Sequence, residues 1–316
     1  MNPILKNLLD RAEKWQDGNP SPLLMRNIQG EKQDRPLPDD LWEQQDIPYG
    51  DPGAGLFADV VYPSKREAEK LPVVVFVHGG ALVSGDRKSN RVFCQELARR
   101  GFVVYSVEYR LIDKTDAFGM VSDVCMALAM VWVTAERFGG DPNQVSLCAE
   151  SAGAFLSIYA VAAGKSDMYR RMLGLGWDFR CGEFGPDISH LILISGLIDT
   201  TAKDAVGLVY KKALYGAKSD NMAFMMSIAP DNPKMLSLLP PILLVSSKAD
   251  FLRGNTLNYA NALEQNHHEH RLLYYPENKA LTHAFPSLLP SLPESGEVID
   301  AIRDWMNNNG DGRDVG

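Results

Sequence analysis

Apolar segments rich in β-branched residues recur along the chain, and stretches of helical periodicity separate most of them. The clearest is LPVVVFVHGG at 71–80, a continuous apolar run that ends in glycines, as expected of a strand buried on both faces of a sheet. Further strands are predicted at 55–63, 101–110, 145–151, 190–199, 240–250 and 270–277. Helices are predicted at 91–100, 116–138, 152–163, 255–265 and 297–306. This alternation predicts an α/β fold, with a mostly parallel central sheet and helices on both faces.

The domain organisation follows from where the alternation breaks. The 316 residues are 45% hydrophobic and 23% charged, which is typical of a globular chain and excludes a disordered one. We predict a single domain over 1–316, with an N-terminal arm or cap at 1–45 that opens with an amphipathic helix and continues irregularly. Residues 165–188 and 200–238 are predicted cap insertions. Within the second, the soft apolar segment MAFMMSI at 222–228 favours core packing, and lining an acyl pocket is the alternative.

Charge and cysteine usage narrow the range of partners. The net charge of −8 without a basic stripe argues against binding to nucleic acid or to an anionic membrane surface. The longest apolar run, 124–133, is half the length of a membrane span, and the N-terminus lacks a signal-peptide profile. The four cysteines show no C-x-x-C spacing, which is typical of reduced thiols and predicts a cytoplasmic location. The oligomeric state is open, with a homodimer as one option.

The sharpest local signal is VSLCAESAGA at 145–154, which indicates a strand, a tight turn and a helix. Ser151 stands at the turn, with Ala149 two residues before it and Gly153 two residues after it. A nucleophile on such a turn needs small neighbours, because the strand and helix backbones nearly touch there. The following helix N-terminus favours a developing negative charge. An S-x-G after a strand is common, so this motif indicates a nucleophile only when an oxyanion-binding loop, a base and a carboxylate are found elsewhere in the chain.

A second signal is the glycine-containing loop His78-Gly79-Gly80-Ala81, which follows the most apolar strand. Flexible backbone at this edge of a sheet can turn its N–H groups toward a substrate. An acyl-transfer enzyme needs such donors for the oxyanion of its tetrahedral intermediate. A plain glycine turn is the alternative, and the serine turn further along the chain argues against it.

A serine hydroxyl needs a base, and the base needs a carboxylate to orient it. Of the six histidines, His283 lies in a loop between the last predicted strand and the final helix, which favours it as the base. His190 begins a strand and is predicted to be structural, and the NHHEH segment at 266–270 is predicted to be a solvated turn without a metal. Asp250 ends one strand and Asp199 ends the preceding one. Both fit the chain order serine, aspartate, histidine. Asp250 is favoured because its strand neighbours the one that leads to His283.

Taken together, these segments resemble the α/β-hydrolase fold of the hormone-sensitive-lipase-like esterases, near the bacterial feruloyl- and acetyl-esterase-like branches. The similarity extends over roughly residues 45–308 and rests on six segments: HGGA at 78–81, YRL at 109–111, GGDPNQVSLCAESAGA at 139–154, SGLID at 195–199, SKAD at 247–250 and THAF at 282–285. The resemblance implies an oxyanion hole formed by the N–H groups of Gly80, Ala81 and Ala152, on a loop shaped by His78 and Gly79. It also implies that Glu150 has a hydrogen-bonding role. Ala81 and Ala149 stand where the family usually has glycine.

The resemblance implies a serine carboxylic-ester hydrolase that uses Ser151, His283 and Asp250, needs no cofactor or metal, and acts on small esters with short acyl groups. Two other activities on the same scaffold stay open, a sugar O-deacetylase and an arylformamidase. A non-catalytic binding protein is the alternative from a different functional class, although such relatives usually lose a member of the triad.

Overall fold

The computed structural model describes residues 31–307, except for 52, 66–68, 176–178, 202–209, 213 and 279. The amphipathic helix predicted near the N-terminus and the first thirty residues of the predicted arm lie outside the described residues.

Within the described residues, eight strands form one sheet in the order β1-β2-β4-β3-β5-β6-β7-β8. The pairs β1–β2 and β2–β4 are antiparallel, and every other neighbouring pair is parallel. The sheet is therefore mostly parallel, as the alternation predicts. The strands are β1 (Leu41–Pro48), β2 (Phe57–Pro63), β3 (Leu71–Val77), β4 (Val103–Val107), β5 (Gly140–Glu150), β6 (Ile188–Ile194), β7 (Ile242–Ser247) and β8 (His270–Tyr275).

Helices connect the strands and follow the last one. Those that the periodicity predicts are present with bounds shifted by a few residues. The helices are α1 (Arg91–Arg99), α2 (Ala117–Thr134), α3 (Ala152–Lys165), α4 (Asp167–Met172), α5 (Met222–Ile228), α6 (Pro233–Leu236), α7 (Arg253–Gln265), α8 (Phe285–Leu288) and α9 (Pro293–Asn307).

The hydrophobic core has two parts, one on each face of the sheet. Along β3, Val73, Val75 and Val77 pack on one face with α2 and α3, whereas Val74 and Phe76 pack on the other face with α1 and α9. This division follows from the alternation of side chains along a strand. Because both faces are covered, polar groups concentrate where the strands end, and that edge is where ligands bind in parallel sheets.

Residues 41–48 correct the predicted arm at 1–45. They form the edge strand β1 instead of continuing irregularly. Half of its residues are polar and only Leu41 is buried, so its pattern lacks the apolar signal of the inner strands. The strand is held by pairing with β2.

The two predicted insertions carry the short helices α4, α5 and α6. In α5, Met225 and Ile228 are buried while Met222 and Met226 are exposed, so core packing accounts for one face of this segment only.

Helix α2 and the turn after it (Ala117–Phe138) are long and apolar enough, by length and composition alone, to cross a bilayer. Half of the most apolar stretch is buried inside the protein. It includes Asp123, which pairs with Arg110. A helix that lies in the core of a protein passes the same test.

Candidate active site

Ser151 lies between β5 and α3 with a backbone conformation that residues other than glycine rarely adopt. Its φ is 47° and its ψ is −117°. The surrounding structure fixes this conformation: Ser151 donates its backbone N–H to Ile194 at 2.9 Å and its carbonyl accepts from Leu197 at 2.8 Å. A Cβ on Gly153 would lie 2.2 Å from the Val77 carbonyl oxygen, so only glycine allows the helix to approach β3 this closely. Strain of this kind is often retained at functional sites.

His283 bridges Ser151 and Asp250 by two hydrogen bonds. Its Nε2 lies 2.9 Å from the Ser151 Oγ, and its Nδ1 lies 2.7 Å from Asp250 Oδ1. Asp250 is fully buried and His283 nearly so. The structure thus brings together the three side chains that the sequence singles out, with the imidazole between hydroxyl and carboxylate. This is the geometry in which a serine can lose its proton to a neutral histidine.

The Asp250 carboxylate is held in its ionised form. Burial favours the neutral acid, but hydrogen bonding to His283 and the charge of His283 lower the pKa of Asp250, helped by the Leu252 N–H and the Ser246 hydroxyl. The net effect is a pKa below the usual value for this carboxyl. Asp199, the rival in the sequence, instead accepts hydrogen bonds from the backbone N–H and hydroxyl of Thr201.

The loop that carries His283 is attached to the ends of β6 and β7. The N–H of Ala284 donates to the Ser195 hydroxyl at 2.9 Å, and the Ser247 hydroxyl donates to the Leu281 carbonyl. Ser195 and Ala284 both have left-handed backbone conformations, with φ of 50° and 52°. The imidazole is therefore positioned from both sides by groups at the carboxyl ends of two strands.

The glycine-containing loop lies directly against the serine turn. A Cβ on Gly79 would be 3.0 Å from the Ser151 Cβ, and Gly80 (φ 102°) has no room for a side chain because of the Ser84 carbonyl. Gly79 donates its N–H to Glu150 Oε1 at 3.1 Å. Within the part of the chain that the structure describes, no hydrogen bond uses the N–H groups of Gly80, Ala81 or Ala152. These three donors remain available for an oxyanion.

Ala81 keeps the left-handed conformation that a glycine would adopt there, with φ of 57°. The change from the family's usual glycine therefore preserves the path of the backbone and its N–H group. Ala149 is fully buried in β5, where the added methyl is accommodated in the core.

The side chains of His78 and Tyr109 hold the backbone of the loop at 78–81 by stacking and by hydrogen bonds. The His78 imidazole stacks on the Tyr109 ring, with centroids 4.2 Å apart, and its Nδ1 lies 2.8 Å from the Gly79 carbonyl. The Tyr109 hydroxyl lies 3.0 Å from the carbonyl oxygens of both His78 and Gly79. Burial raises the pKa of Tyr109, so the phenol stays protonated and able to donate. His78 thus shapes the loop and does not contact Ser151 through any hydrogen bond in the structure's described part.

Glu150 connects three parts of the site. Its carboxylate accepts from the Gly79 N–H, from Asn90 Nδ2 at 3.1 Å and from the Ser287 hydroxyl in α8. Because Glu150 directly precedes Ser151, one buried carboxylate joins the loop at 78–81, the serine turn and the helix that follows His283. This bears out the hydrogen-bonding role that the resemblance implies for it.

The remaining histidines lie away from this arrangement. His190 is buried, stacks edge-on against Trp305, and has a pKa lowered by burial. His268 and His270 bond backbone carbonyls near the turn before β8. No group of metal-ligating side chains occurs among the described residues. All four cysteines are free thiols.

Sequence reasoning missed several supporting groups. Ser195, Ser246 and Ser247 stand at the ends of β6 and β7, and that position is a usable signal because strand ends meet at the site. Asn90 and Ser287 carry no such signal, since their roles depend on contacts between distant parts of the chain.

Curated relatives match a limited part of this chain. Isoprenylcysteine alpha-carbonyl methylesterase ICME of Arabidopsis thaliana is 34% identical over 118 residues, which is 37% of this chain and 27% of the relative. Esterase LipC of Mycobacterium tuberculosis is 33% identical over 131 residues, 41% of this chain and 32% of the relative. The chain therefore spans about a quarter to a third of the length of these curated relatives.

Solved structures align over nearly the whole chain. Esterase B from Lactobacillus rhamnosis has a TM-score of 0.76 and 22% identity, covering 95% of this chain and 96% of that one. A bacterial heroin esterase has a TM-score of 0.66 and 25% identity, covering 86% of each chain. These likenesses establish the α/β-hydrolase fold. The BD-FAE family model matches residues 58–252, well over half of the chain. The chain belongs to the BD-FAE family.

Proposed function

We propose that this protein is a serine carboxylic-ester hydrolase that acts on small esters with short acyl groups. The observation that carries the proposal is the continuous hydrogen-bonded chain from the Ser151 hydroxyl through His283 to Asp250, beside backbone N–H groups with no partner in the described residues. Isolated histidines or aspartates are common in proteins. A serine on a strained turn, hydrogen-bonded to an imidazole that a buried carboxylate orients, is the arrangement that acyl transfer needs.

In the first half of the reaction, His283 Nε2 takes the proton of Ser151 as its oxygen attacks the ester carbonyl. The negative charge that develops on the carbonyl oxygen is stabilised by the N–H groups of Gly80, Ala81 and Ala152. The protonated imidazole is stabilised by Asp250, which stays ionised. It then gives its proton to the alcohol oxygen, the bond between carbonyl carbon and alcohol oxygen breaks, and the acyl group remains on Ser151.

In the second half, a water molecule repeats the attack. His283 takes a proton from the water, the same three N–H groups hold the second oxyanion, and protonated His283 returns its proton to Ser151 as the acid leaves. The side chains and the loop amides carry every proton and charge in this sequence, so the proposal requires no cofactor and no metal.

The names of the relatives support an ester as the substrate. The curated relatives include methylesterases and esterases. Esterase B, which shares the fold, has been solved with a C4-C4 tributyrin phosphonate inhibitor, in keeping with short acyl groups. The predicted cytoplasmic location and the option of a homodimer stay predictions.

The test is a series of p-nitrophenyl esters with acyl chains of increasing length, given to the wild type and to Ser151→Ala in parallel. We expect the wild type to favour the acetate and butyrate esters and the variant to lose turnover with all of them. The same panel includes N-formylkynurenine and acetylated xylan fragments. A clear preference of the wild type for either one over simple esters would replace the proposal with an arylformamidase or a sugar O-deacetylase. Binding without turnover in both proteins would indicate a non-catalytic role.

A further inference from the structure

Phe251 is a large apolar side chain in contact with the proposed base. It directly follows Asp250, and its ring centroid lies 4.1 Å from that of the His283 imidazole, with an angle of 32° between the planes. Asp250, which precedes Phe251, and His283, which its ring contacts, are both buried. Phe251 nevertheless remains 53% exposed. The ring therefore shields one side of the imidazole and presents its remaining surface to solvent.

Few large apolar side chains in the described part of the chain are exposed to this extent. Among them, Phe251 is the one whose ring contacts His283. Scattered exposed apolar residues need no explanation, but an exposed aromatic ring beside reacting groups is a surface that a ligand can cover. Ligand sites are typically lined by apolar and aromatic side chains around a small number of polar groups.

The chemistry of the proposed reaction decides which part of a substrate lies nearest to this ring. His283 must donate its proton to the alcohol oxygen, so that oxygen has to come within hydrogen-bond distance of Nε2, about 2.6–3.2 Å. The first atoms of the alcohol portion are one bond further away. The carbonyl oxygen, in contrast, must face the N–H groups of Gly80, Ala81 and Ala152. Of the two halves of an ester, the alcohol half therefore lies next to the imidazole, and the ring centroid of Phe251 is 4.1 Å from that of the imidazole.

We propose that Phe251 forms the apolar wall of the leaving-group subsite and that the protein prefers esters whose alcohol portion carries an aromatic ring. This inference rests on the proposed function and extends it to the class of alcohol. An aromatic alcohol portion covers the exposed ring of Phe251 by edge-to-face or offset contact, whereas a methyl or ethyl group is too small to cover it. Phe251 acts on specificity through this contact and takes no part in proton transfer.

The experiment compares the hydrolysis of benzyl acetate with that of ethyl acetate. The rate of each reaction is measured by titrating the acetic acid that is released. Both substrates have the same acyl group, so the ratio of their kcat/KM values reports on the alcohol portion alone. We expect Phe251→Leu, which keeps an apolar side chain beside the imidazole, to lower the benzyl-to-ethyl ratio about five- to tenfold relative to the wild type. Phe184→Leu is the matched control, because Phe184 is 52% exposed and its ring makes no contact with His283 among the described residues. The control should leave the ratio unchanged.

Two further outcomes separate this inference from the proposed function. If Phe251→Leu lowers kcat/KM equally for both esters, or shifts the pH profile without changing the ratio, the ring only holds the imidazole and the inference is wrong while the hydrolase remains. If the wild type hydrolyses neither ester, nor the p-nitrophenyl series, the proposed function fails and the subsite fails with it. An ethyl butyrate control, in which the acyl group changes and the alcohol does not, should respond to Phe251→Leu as ethyl acetate does.

Discussion

Replacing Asp250 with asparagine removes the charge of the buried carboxylate and keeps its shape. Asp250 Oδ1 accepts both from His283 Nδ1 at 2.7 Å and from the Leu252 N–H at 2.9 Å. In Asp250→Asn, only the amide oxygen can occupy that position, because an NH2 group there would face the Leu252 N–H. The amide NH2 then faces the Ser246 hydroxyl, which can rotate to accept. The neutral imidazole therefore keeps its orientation, with Nε2 toward Ser151.

The variant loses the attraction between the carboxylate and the imidazolium that forms when Ser151 gives up its proton. Two unit charges about 4 Å apart attract each other by about 4 kcal/mol at an effective dielectric constant of about 20. Since each 1.36 kcal/mol corresponds to about a tenfold change in rate, kcat should fall about 10³-fold. KM should change little, because the charge pair exists only while the proton is on His283.

The assay is steady-state hydrolysis of p-nitrophenyl acetate by the wild type, Asp250→Asn and the control Asp199→Asn. We expect the large loss of kcat in Asp250→Asn alone, with far-ultraviolet circular dichroism unchanged. A loss of less than about tenfold would refute the electrostatic reasoning, because it would leave about two thirds or more of the expected attraction unaccounted for. A comparable loss in Asp199→Asn would mean that the wrong carboxylate has been assigned.

The same variant also tests the ionisation of Asp250 in the folded protein. Burial raises the pKa of Asp250, but hydrogen bonding to His283, the charge of His283 and the bonds from Leu252 and Ser246 together outweigh it and hold the pKa below its usual value. The ionised carboxylate therefore contributes stability above the unfolded pKa of about 3.9, and this contribution is lost as the pH falls through the lower folded pKa. The free energy of unfolding of Asp250→Asn, measured by urea denaturation, should fall less steeply with acid than that of the wild type. Equal slopes would contradict the assignment.

Substitutions at Glu150 and Gly153 test the contacts that hold the loop at 78–81, the serine turn and α3 in place. Glu150→Ala leaves the Gly79 N–H, Asn90 and the Ser287 hydroxyl without their shared acceptor. Because each buried group left without a partner costs about 1–3 kcal/mol, we expect a marked loss of stability in urea denaturation and a fall in kcat. Glu150→Gln should lose less stability and less activity. Equal behaviour of the two variants would argue against the bridging role. Gly153→Ala should lower the melting temperature by several degrees, because its Cβ would lie 2.2 Å from the Val77 carbonyl oxygen. The control Gly254→Ala, with open space around the added Cβ, should lower the melting temperature little or raise it. An unchanged melting temperature in Gly153→Ala would contradict the close approach of α3 to β3.

The local signals in the sequence predict most of this fold because they are tied to chain geometry. The continuous apolar run of β3 indicates a strand covered on both faces, and the small residues around Ser151 indicate the tight turn. Asp250 is distinguishable from Asp199 because β7 pairs with β8, the strand that leads to His283. The paired edge strand β1 was missed, since half of its residues are polar, only one is buried, and the strand is held by pairing with β2.

The support around the triad is not predictable from sequence in the same way. Glu150 and Ser287 are separated by 137 positions, and nothing near either residue signals the other. Phe251 reads as an ordinary apolar residue after a strand, and its exposure beside His283 emerges only once two loops meet. Such contacts depend on tertiary packing, whereas turns and strands depend on neighbouring residues.

Labelling with a fluorophosphonate shows whether the Ser151 hydroxyl is the nucleophile, on which the whole proposed mechanism depends. We expect a single adduct, mapped by mass spectrometry to the peptide that contains Ser151, and a loss of ester hydrolysis in proportion to labelling. Heat-denatured protein should not be labelled, because the reactivity depends on His283. Full hydrolysis by a protein in which Ser151 remains unmodified, or an adduct on another side chain that accounts for the inhibition, would contradict it.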